Sequence, residues 1–252
     1  MHTVSWHVVV PVKGTGAAKS RLAPVVGDAR EEFARALALD TLVATAQTPG
    51  VRLVVVSGDP IVAGEAAALG ALVVPDPSAG LGAAVAAGIE VCLAEGGEAR
   101  GEGTDESPAS GVAVLLGDLP ALRPRDLSEA LAVCATEDSA FVPDADGTGT
   151  VLLAARRPKD LRPSFGPGSA AAHSRVAARL DLDLPRLRRD VDVAADLEAV
   201  LTLGVGAHTA AALARLPELD RPRSARAEGG PEPGPAEAGS SRIGRSRRDG
   251  VA

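Results

Sequence analysis

Residues 8–24 read VVVPVKGTGAAKSRLAP, a short apolar run followed by a loop that is rich in glycine and basic residues. The run VVVPV lacks the alternation of polar and apolar residues that marks a half-exposed strand. Such continuous runs are typical of strands that are buried on both faces of a parallel sheet. The stretch therefore predicts a buried first strand, with a ligand loop at its carboxyl end.

The same pattern recurs along the first half of the chain. Further Val-rich runs, which we interpret as buried strands, occupy residues 53–56, 71–74 and 112–116. Apolar side chains at helical spacing lie between and after them, in residues 31–47, 81–95 and 125–135. Strands that alternate with helices predict an α/β domain with a mostly parallel sheet.

The second half departs from this rhythm. Residues 140–143 and 150–155 are two strand-like runs separated by the turn-forming stretch DADGTG. A helix is expected from about residue 169 to residue 180. We interpret residues 186–200 as a short strand, an acidic turn and the start of a helix at 194–203.

The expected domain organisation is one nucleotidyltransferase domain in residues 1–219 with an insertion loop at 95–110. That loop and residues 220–252, a basic tail rich in Pro, Gly, Ser and Arg, have few apolar residues to bury, which predicts disorder in both.

Composition excludes several classes of protein. Aromatic residues make up 2% of the chain and the net charge is −7, which argues against base-stacking or phosphate-backbone binding to nucleic acids. Cys92 and Cys134 have no zinc-ligand spacing, so we expect two buried thiols. Without a signal peptide pattern or an apolar run of about 20 residues, we expect a cytoplasmic protein with no membrane partner.

The loop after the first strand differs from two common phosphate-binding loops. A P-loop needs glycine directly before its Lys-Ser pair, where this chain has Ala18. A dinucleotide-binding loop needs a third glycine, where this chain has Lys19. The loop matches neither pattern.

Its chemistry nevertheless favours an anion. Gly14 and Gly16 allow backbone N–H groups to approach a phosphate closely. Lys13, Lys19 and Arg21 place three cations within nine residues. We interpret the segment as a triphosphate-binding loop, in preference to a solvated turn.

Three aspartates follow predicted strands. Asp118 comes directly after a buried run in LLGDLPAL, and Asp190 and Asp192 precede the predicted helix at 194–203. Carboxylates at the ends of strands are placed to bind Mg²⁺ together with a nucleotide. The same positions suit helix caps, for Asp118 ahead of Pro124 and for Asp192 ahead of the next helix. The residues alone leave both interpretations open.

Two loops of small residues, GTGT at 147–150 and FGPGS at 165–169, offer hydroxyl and backbone N–H groups. Ser169 would begin the following helix, where a phosphate or carboxylate binds well, although capping alone is the alternative. His173, one turn later, has no evident partner in the sequence. We interpret it as a surface or packing histidine in preference to a base.

Taken together, these motifs resemble the guanylyltransferases of coenzyme F(420) biosynthesis. The matching segments are PVKGTGAAKSRLAP, DPSAGLGAAVAAG, LLGDLPAL, FVPDADGTGTVLLAA, FGPGSAAAH and LRRDVDVAADL, which are spread over nearly the whole predicted folded region, from about residue 8 to residue 203. That family is similar in fold to nucleotide-diphospho-sugar transferases. The resemblance thus implies a mixed, mostly parallel, Rossmann-like sheet with helices on both faces.

The resemblance also implies a reaction, in which GMP passes from GTP to a small phosphorylated acid with Mg²⁺ as cofactor. The acid is phosphoenolpyruvate in actinobacterial members, giving enolpyruvyl-diphospho-guanosine, and 2-phospho-L-lactate in archaeal ones. The Ala- and Arg-rich composition favours an actinobacterial source, and therefore phosphoenolpyruvate. The acid's phosphate is already an anionic nucleophile, so this reaction needs no general base.

Four sets of residues inherit roles from the resemblance. The catalytic residues would be Lys13, Lys19, Arg21 and Asp118. The Mg²⁺ ligands would be Asp118, Asp190 and Asp192. The acceptor would be bound by Thr150, Gly166 and Ser169. The nucleotide would be bound by Gly14, Gly16, Leu81 and Gly82.

The chain departs from the family at two motifs. Gly82 stands where members commonly carry Asn, which leaves the base preference open. Val193 and Ala194 stand where members often have Thr-Pro.

Several alternatives remain open at this point. The acceptor could be 2-phospho-L-lactate or 3-phosphoglycerate, and the protein could be another nucleotidyltransferase or a non-catalytic nucleotide-binding sensor. The oligomeric state is also open, with a homodimer among the candidates.

Overall fold

The computed structural model describes residues 5–13, 20–98 and 110–216. All of them lie in the first of two units of the chain, residues 1–217, and the second unit, residues 218–252, lies outside the described residues. The predicted tail and most of the predicted insertion loop fall outside as well. Both stay predictions.

A seven-stranded sheet runs through the described residues. Its strands are β1 (Ser5–Val12), β2 (Val51–Ser57), β3 (Leu72–Pro75), β4 (Ser110–Leu115), β5 (Ser139–Pro143), β6 (Thr150–Ala155) and β7 (Ala178–Arg179). Their order across the sheet is β3-β2-β1-β4-β6-β5-β7. β6 is antiparallel to both of its neighbours, and the other pairs are parallel. This confirms the expected mixed, mostly parallel sheet.

Nine α-helices accompany the sheet in the described part of the chain. They are α1 (Ala23–Val26), α2 (Arg30–Ala46), α3 (Pro60–Ala68), α4 (Leu81–Glu98), α5 (Pro124–Cys134), α6 (Ser169–His173), α7 (Pro185–Arg188), α8 (Ala194–Leu203) and α9 (Ala207–Ala214). Within these residues, no helix combines the length and the apolar character needed to cross a bilayer.

The sheet is covered on both faces. Val8 and Val10 of β1 join an apolar cluster with Leu42 of α2 and Leu127 of α5. Val9, between them, belongs to the opposite cluster, where it packs with α4. Because successive side chains of a strand point to opposite faces, an uninterrupted valine run fills both clusters.

The contact between α4 and the sheet is unusually close at Gly88. A methyl group added there would overlap the side chain of Val9 and approach Val56 Cγ2 to 3.0 Å. Only glycine lets the helix backbone lie this near the strands. This approach fixes the position of α4, whose first residues reach the candidate site.

Two predicted elements are wrong. The helix expected at 169–180 ends at His173, because Ala178 and Arg179 pair with β5 as a parallel strand. The short strand expected from residue 186 is instead α7, which begins with Pro185 at a position where proline favours a helix. In both places tertiary contacts or a local helix signal override the apolar pattern.

The boundary of the predicted insertion loop also shifts. α4 continues to Glu98, so residues 95–98 are helical although we expected the loop to begin at 95. Extending a helix adds one hydrogen bond per residue, whereas each glycine costs only about 1 kcal/mol relative to alanine. Gly96 and Gly97 therefore do not end the helix.

Candidate active site

A cleft of about 720 Å³ lies beside the carboxyl ends of β1, β4 and β5. Ligands of open α/β sheets bind at this edge. Its lining comes from Arg21, Leu81 and Leu116 and from residues within 144–150, 165–169 and 189–196. The last three segments contain five of the predicted site residues, namely Thr150, Gly166, Ser169, Asp190 and Asp192.

The first loop is described only in part. Lys13 is exposed directly after β1, and Arg21 is exposed and lines the cleft. Leu81 also lines the cleft, whereas Gly82 is exposed and lies outside the lining. The other predicted residues of the loop, Gly14, Gly16 and Lys19, lie outside the described residues.

Asp118 is half-buried in the loop between β4 and α5, and it is not among the residues that line the cleft. Several hydrogen bonds hold this loop; among them, the Leu119 N–H donates to the Thr41 hydroxyl at 2.9 Å, and the Val191 N–H donates to the Asp118 carbonyl oxygen at 3.2 Å. The first turn of α5 is capped by Asp126, which accepts a backbone N–H at 3.2 Å. Helix capping therefore does not explain Asp118.

Asp190 and Asp192 both line the cleft, and the backbone bond just described brings their segment beside Asp118. The first turn of α8 is capped by Asp196, whose Oδ2 accepts the N–H groups of Asp192 and Val193 at 3.0 Å each. The sequence left open whether Asp192 serves as this cap. The structure gives that role to Asp196.

The three predicted metal ligands do not form a closed cage. Within residues 5–13, 20–98 and 110–216, no group of three or more His, Cys, Asp or Glu side chains is close enough to hold a metal ion. Mg²⁺, however, is usually bound by one or two carboxylates, with substrate phosphates and water completing its shell. The carboxylates present fit a hard divalent cation of this kind, bound together with a nucleotide.

Arg189 is a residue of the cleft that the sequence interpretation missed. Its guanidinium forms ion pairs with Asp146 at 3.5 Å and Asp196 at 3.4 Å. Its position directly before Asp190 in LRRDVDVAADL could have pointed to it. Among the described residues of the lining, five aspartates accompany two arginines, so a polyanionic ligand needs further positive charge to bind here.

A second wall of the cleft begins with a turn built by Asp144. The two carboxylate oxygens accept the N–H groups of Thr148 at 2.9 Å and Gly149 at 2.7 Å. This turn delivers Thr150 to the start of β6, where it lines the cleft and is buried. The predicted acceptor residue is thus rigidly placed.

The segment 165–169 forms the rest of this wall. Gly166 has a backbone φ angle of +133°, which residues other than glycine rarely adopt. Ser169 is buried and begins α6 as expected, but the helix has only five residues. The Ala170 N–H donates to the Thr148 carbonyl oxygen at 3.1 Å, which ties the segment to the Asp144 turn.

His173 lies fully buried behind this wall. Its Nδ1 is 2.8 Å from the Thr150 hydroxyl oxygen, and its Nε2 accepts the Ser164 N–H at 2.9 Å. The rings of Phe141 and Phe165 lie 5.7 Å and 5.2 Å away. Burial lowers the pKa of the imidazole. His173 is therefore a packing histidine with both ring nitrogens hydrogen-bonded.

Comparison with known proteins agrees with the resemblance seen in the sequence. A model of the family described as "Guanylyl transferase CofC like" matches residues 6–218. A protein of Thermomonospora curvata named phosphoenolpyruvate guanylyltransferase is 44% identical over 218 residues, covering 85% of this chain and 91% of its own. One of Streptomyces scabiei with the same name is 47% identical over 219 residues, covering 84% and 98%.

Solved structures agree on the fold. A protein of Desulfovibrio desulfuricans G20, assigned to the nucleotide-diphospho-sugar transferases, superposes with a TM-score of 0.51 at 18% identity, covering 80% of this chain and 97% of its own. At this identity the likeness concerns the fold alone. The expected likeness to nucleotide-diphospho-sugar transferases is confirmed.

Proposed function

This chain belongs to the family of CofC-like guanylyl transferases, and we propose that it transfers GMP from GTP to phosphoenolpyruvate with release of pyrophosphate. The product is then enolpyruvyl-diphospho-guanosine, an intermediate for coenzyme F(420) biosynthesis. Support for this acceptor comes from the two relatives that bear its name, at 44% and 47% identity.

One observation carries the proposal: the cleft has two chemically different walls. Asp190 and Asp192 line one wall, beside Asp118. The other wall, with Thr150 and residues 165–169, presents hydroxyl and backbone groups, and its two carboxylates are engaged: Asp144 accepts backbone N–H groups and Asp146 pairs with Arg189. Nucleotidyl transfer to an anion needs such an arrangement, because a cation-bound triphosphate must meet a second anion that is held separately.

We assign the nucleotide to the side of the first loop. Lys13, Lys19 and Arg21 are proposed to neutralise the phosphates, and the exposed position of Arg21 in the cleft supports this. Gly14, Gly16, Leu81 and Gly82 are proposed to contact the nucleotide. Leu81, at the start of α4, lines the cleft, which supports this proposal.

Asp118, Asp190 and Asp192 are the proposed ligands of Mg²⁺. When bound, the ion supplies charge neutralisation at the phosphates of GTP. The protein's own part is to hold the two loops together: the Val191 N–H donates to the Asp118 carbonyl oxygen, which supports a role for both loops at one site.

The chemical step is an in-line displacement at the α-phosphorus of GTP. A phosphate oxygen of the acid forms the new bond to phosphorus, and the bond from the α-phosphorus to the bridging oxygen breaks as pyrophosphate leaves. The attacking oxygen is already an anion, so no proton has to be removed. This agrees with His173, whose two nitrogens are both hydrogen-bonded. Catalysis then rests on positioning and on charge neutralisation.

The proposed substrates, GTP and a small phosphorylated acid, are metabolites of the cytoplasm, and we propose the reaction to occur there. Neither nucleic acid nor a membrane takes part in it.

The reaction is tested by pyrophosphate release from GTP and Mg²⁺, with phosphoenolpyruvate, 2-phospho-L-lactate and 3-phosphoglycerate offered separately. The assay includes the next transferase and its deazaflavin acceptor, so that an unstable product is drawn off. Release with phosphoenolpyruvate alone is the expected result. Release with another acid would correct the acceptor. If protein that binds GTP releases no pyrophosphate with any of the three acids, the result would favour a nucleotide sensor.

The Asp118→Asn variant tests the proposed role of Asp118 as a metal ligand. Loss of a metal ligand removes several kcal/mol of transition-state stabilisation, so we expect turnover to fall at least about 100-fold. Asp126→Asn is the matched control, because Asp126 caps α5 outside the cleft lining. Equal activity of D118N and wild-type protein would remove Asp118 from the site.

A further inference from the structure

We infer that His173 is a positioning residue for the acceptor: its Nδ1–H holds the Thr150 hydroxyl oxygen, so that the hydroxyl hydrogen is directed to the bound acid. The identity of the acid rests on the proposed function. The state of His173 itself follows from hydrogen bonds within the chain, so it can be tested without turnover.

The tautomer follows from the partner of the second ring nitrogen. A backbone N–H can only donate, and the Ser164 N–H points at Nε2 from 2.9 Å. Nε2 must therefore carry a lone pair, and in a neutral imidazole the hydrogen then resides on Nδ1. The contact of 2.8 Å between Nδ1 and the Thr150 hydroxyl oxygen is consequently a donation from His173 to Thr150.

This fixes the direction of the Thr150 hydroxyl. A hydroxyl has one hydrogen to donate, and the bond from His173 occupies an acceptor position on its oxygen. Thr150 lines the cleft, and the described part of the chain offers its hydroxyl no other hydrogen-bond partner. The hydrogen is thus available to an acceptor atom in the cleft, which suits a phosphate or carboxylate oxygen.

The surroundings keep His173 in this state. The ring is fully buried between Phe141 and Phe165. The His173 ring also joins the two parts of the wall proposed to bind the acceptor. One nitrogen bonds Thr150 at the start of β6, and the other bonds Ser164, which immediately precedes segment 165–169. A charged imidazole would place a second N–H against the Ser164 N–H. The neutral ring is therefore the form compatible with both hydrogen bonds, to Thr150 and to Ser164.

The first test is two-dimensional ¹H–¹⁵N NMR of the imidazole nitrogens in the full-length protein. The chain has four histidines, and the signal lost in His173→Gln identifies His173, with His208→Gln as the matched control outside the cleft. We expect an Nδ1–H tautomer that stays neutral at pH 7. An Nε2–H tautomer would overturn the inference.

The second test is a double-mutant cycle read by calorimetric binding of phosphoenolpyruvate and, separately, of GTP. H173Q removes the donor to Thr150, and we expect the affinity for phosphoenolpyruvate to fall about fivefold, the value of one hydrogen bond. H173N retains a donor near the position of Nδ1 and should recover most of this loss. In the T150V background, H173Q should have no further effect, and GTP affinity should not change in any variant.

The outcomes separate the two proposals. An equal loss from H173Q with Thr150 and in the T150V background would show a merely structural role and overturn the inference. So would a parallel loss of GTP affinity. Wild-type protein that binds phosphoenolpyruvate without releasing pyrophosphate would contradict the proposed function instead, and the binding cycle would still decide the role of His173.

Discussion

Single side chains in the cleft take their roles from the groups around them. Asp192 and Asp196 are four residues apart and chemically identical. The Asp196 carboxylate accepts two backbone N–H groups at the start of α8, whereas Asp192 contributes its backbone N–H to that cap and lines the cleft. A similar contrast holds for His173, whose burial makes it a fixed donor in place of a base.

This contrast predicts different effects for two substitutions in one turn. Asp196→Ala removes a helix cap and should lower the free energy of unfolding by about 1 kcal/mol. Asp192→Asn keeps that cap, to which Asp192 contributes only its backbone N–H, and should raise the Mg²⁺ concentration needed for half-maximal turnover. Urea unfolding and a magnesium titration of activity measure the two effects. The assignment of Asp192 fails if its variant loses stability and keeps its magnesium dependence.

The buried His173 predicts how stability depends on pH. Burial lowers the pKa of His173 below its ordinary value of 6.5. The unfolded chain takes up a proton near that value while the folded chain does not, so stability is complete above pH 6.5 and declines below it. The decline due to this group can reach about 1.4 kcal/mol per pH unit.

Urea unfolding of wild-type and H173Q protein between pH 7.5 and pH 5.5 measures this difference. The variant should lack the additional slope below the ordinary histidine pKa. Parallel pH profiles for the two proteins would show that His173 titrates alike in the folded and unfolded chains.

At the scale of secondary-structure elements, the position of α4 depends on how closely its backbone approaches the sheet. Gly88 lies against Val9 and Val56, with no room for a methyl group. Gly64, in the middle of α3, is exposed and has no atom within 4 Å of the position of an added Cβ. The same substitution should therefore have opposite effects in the two helices.

Gly88→Ala is expected to destabilise the protein by about 1–3 kcal/mol, because the added methyl forces α4 away from the strands. Gly64→Ala should stabilise the protein by up to about 1 kcal/mol, because alanine lowers the conformational entropy of the unfolded chain. Thermal unfolding of both variants tests the pair. Equal stabilisation by the two substitutions would mean that α4 can move outward without loss.

At the scale of the whole molecule, α9, the last helix of the described residues, packs against α2. The buried Asp40 of α2 accepts the N–H groups of His208 at 3.0 Å and Thr209 at 2.8 Å, which caps α9. Ala212 of the same helix packs in an apolar cluster with Phe33 and Leu37. The family match ends at residue 218, shortly after this helix.

We therefore expect a chain that ends at residue 218 to keep the stability and turnover of the full protein. A chain that ends at residue 205 should lose about 2 kcal/mol or more, because the Asp40 carboxylate is then left without its two backbone donors. Urea unfolding and pyrophosphate release compare the three lengths. A loss of turnover in the chain that ends at residue 218 would assign a role to the basic tail.

The sequence was most informative where a pattern is local. Val-rich runs and helical spacing located six of the seven strands and the longer helices, because burial on both faces leaves a direct trace in the residue order. The resemblance located the motifs of the cleft. Local patterns failed at residues 174–180, where pairing of Ala178 and Arg179 with β5 interrupts the predicted helix.

The amino-acid sequence by itself determined the α/β class, the family and the chemical character of the cleft, since these depend on residue types and their spacing. The tertiary structure decided which groups meet. The Asp118 backbone pairs with that of Val191, between Asp190 and Asp192, while Asp196 caps α8 and His173 donates to Thr150. Most of these contacts join residues distant in the chain, and their geometry depends on how the strands are ordered and how the loops pack, which no local pattern encodes.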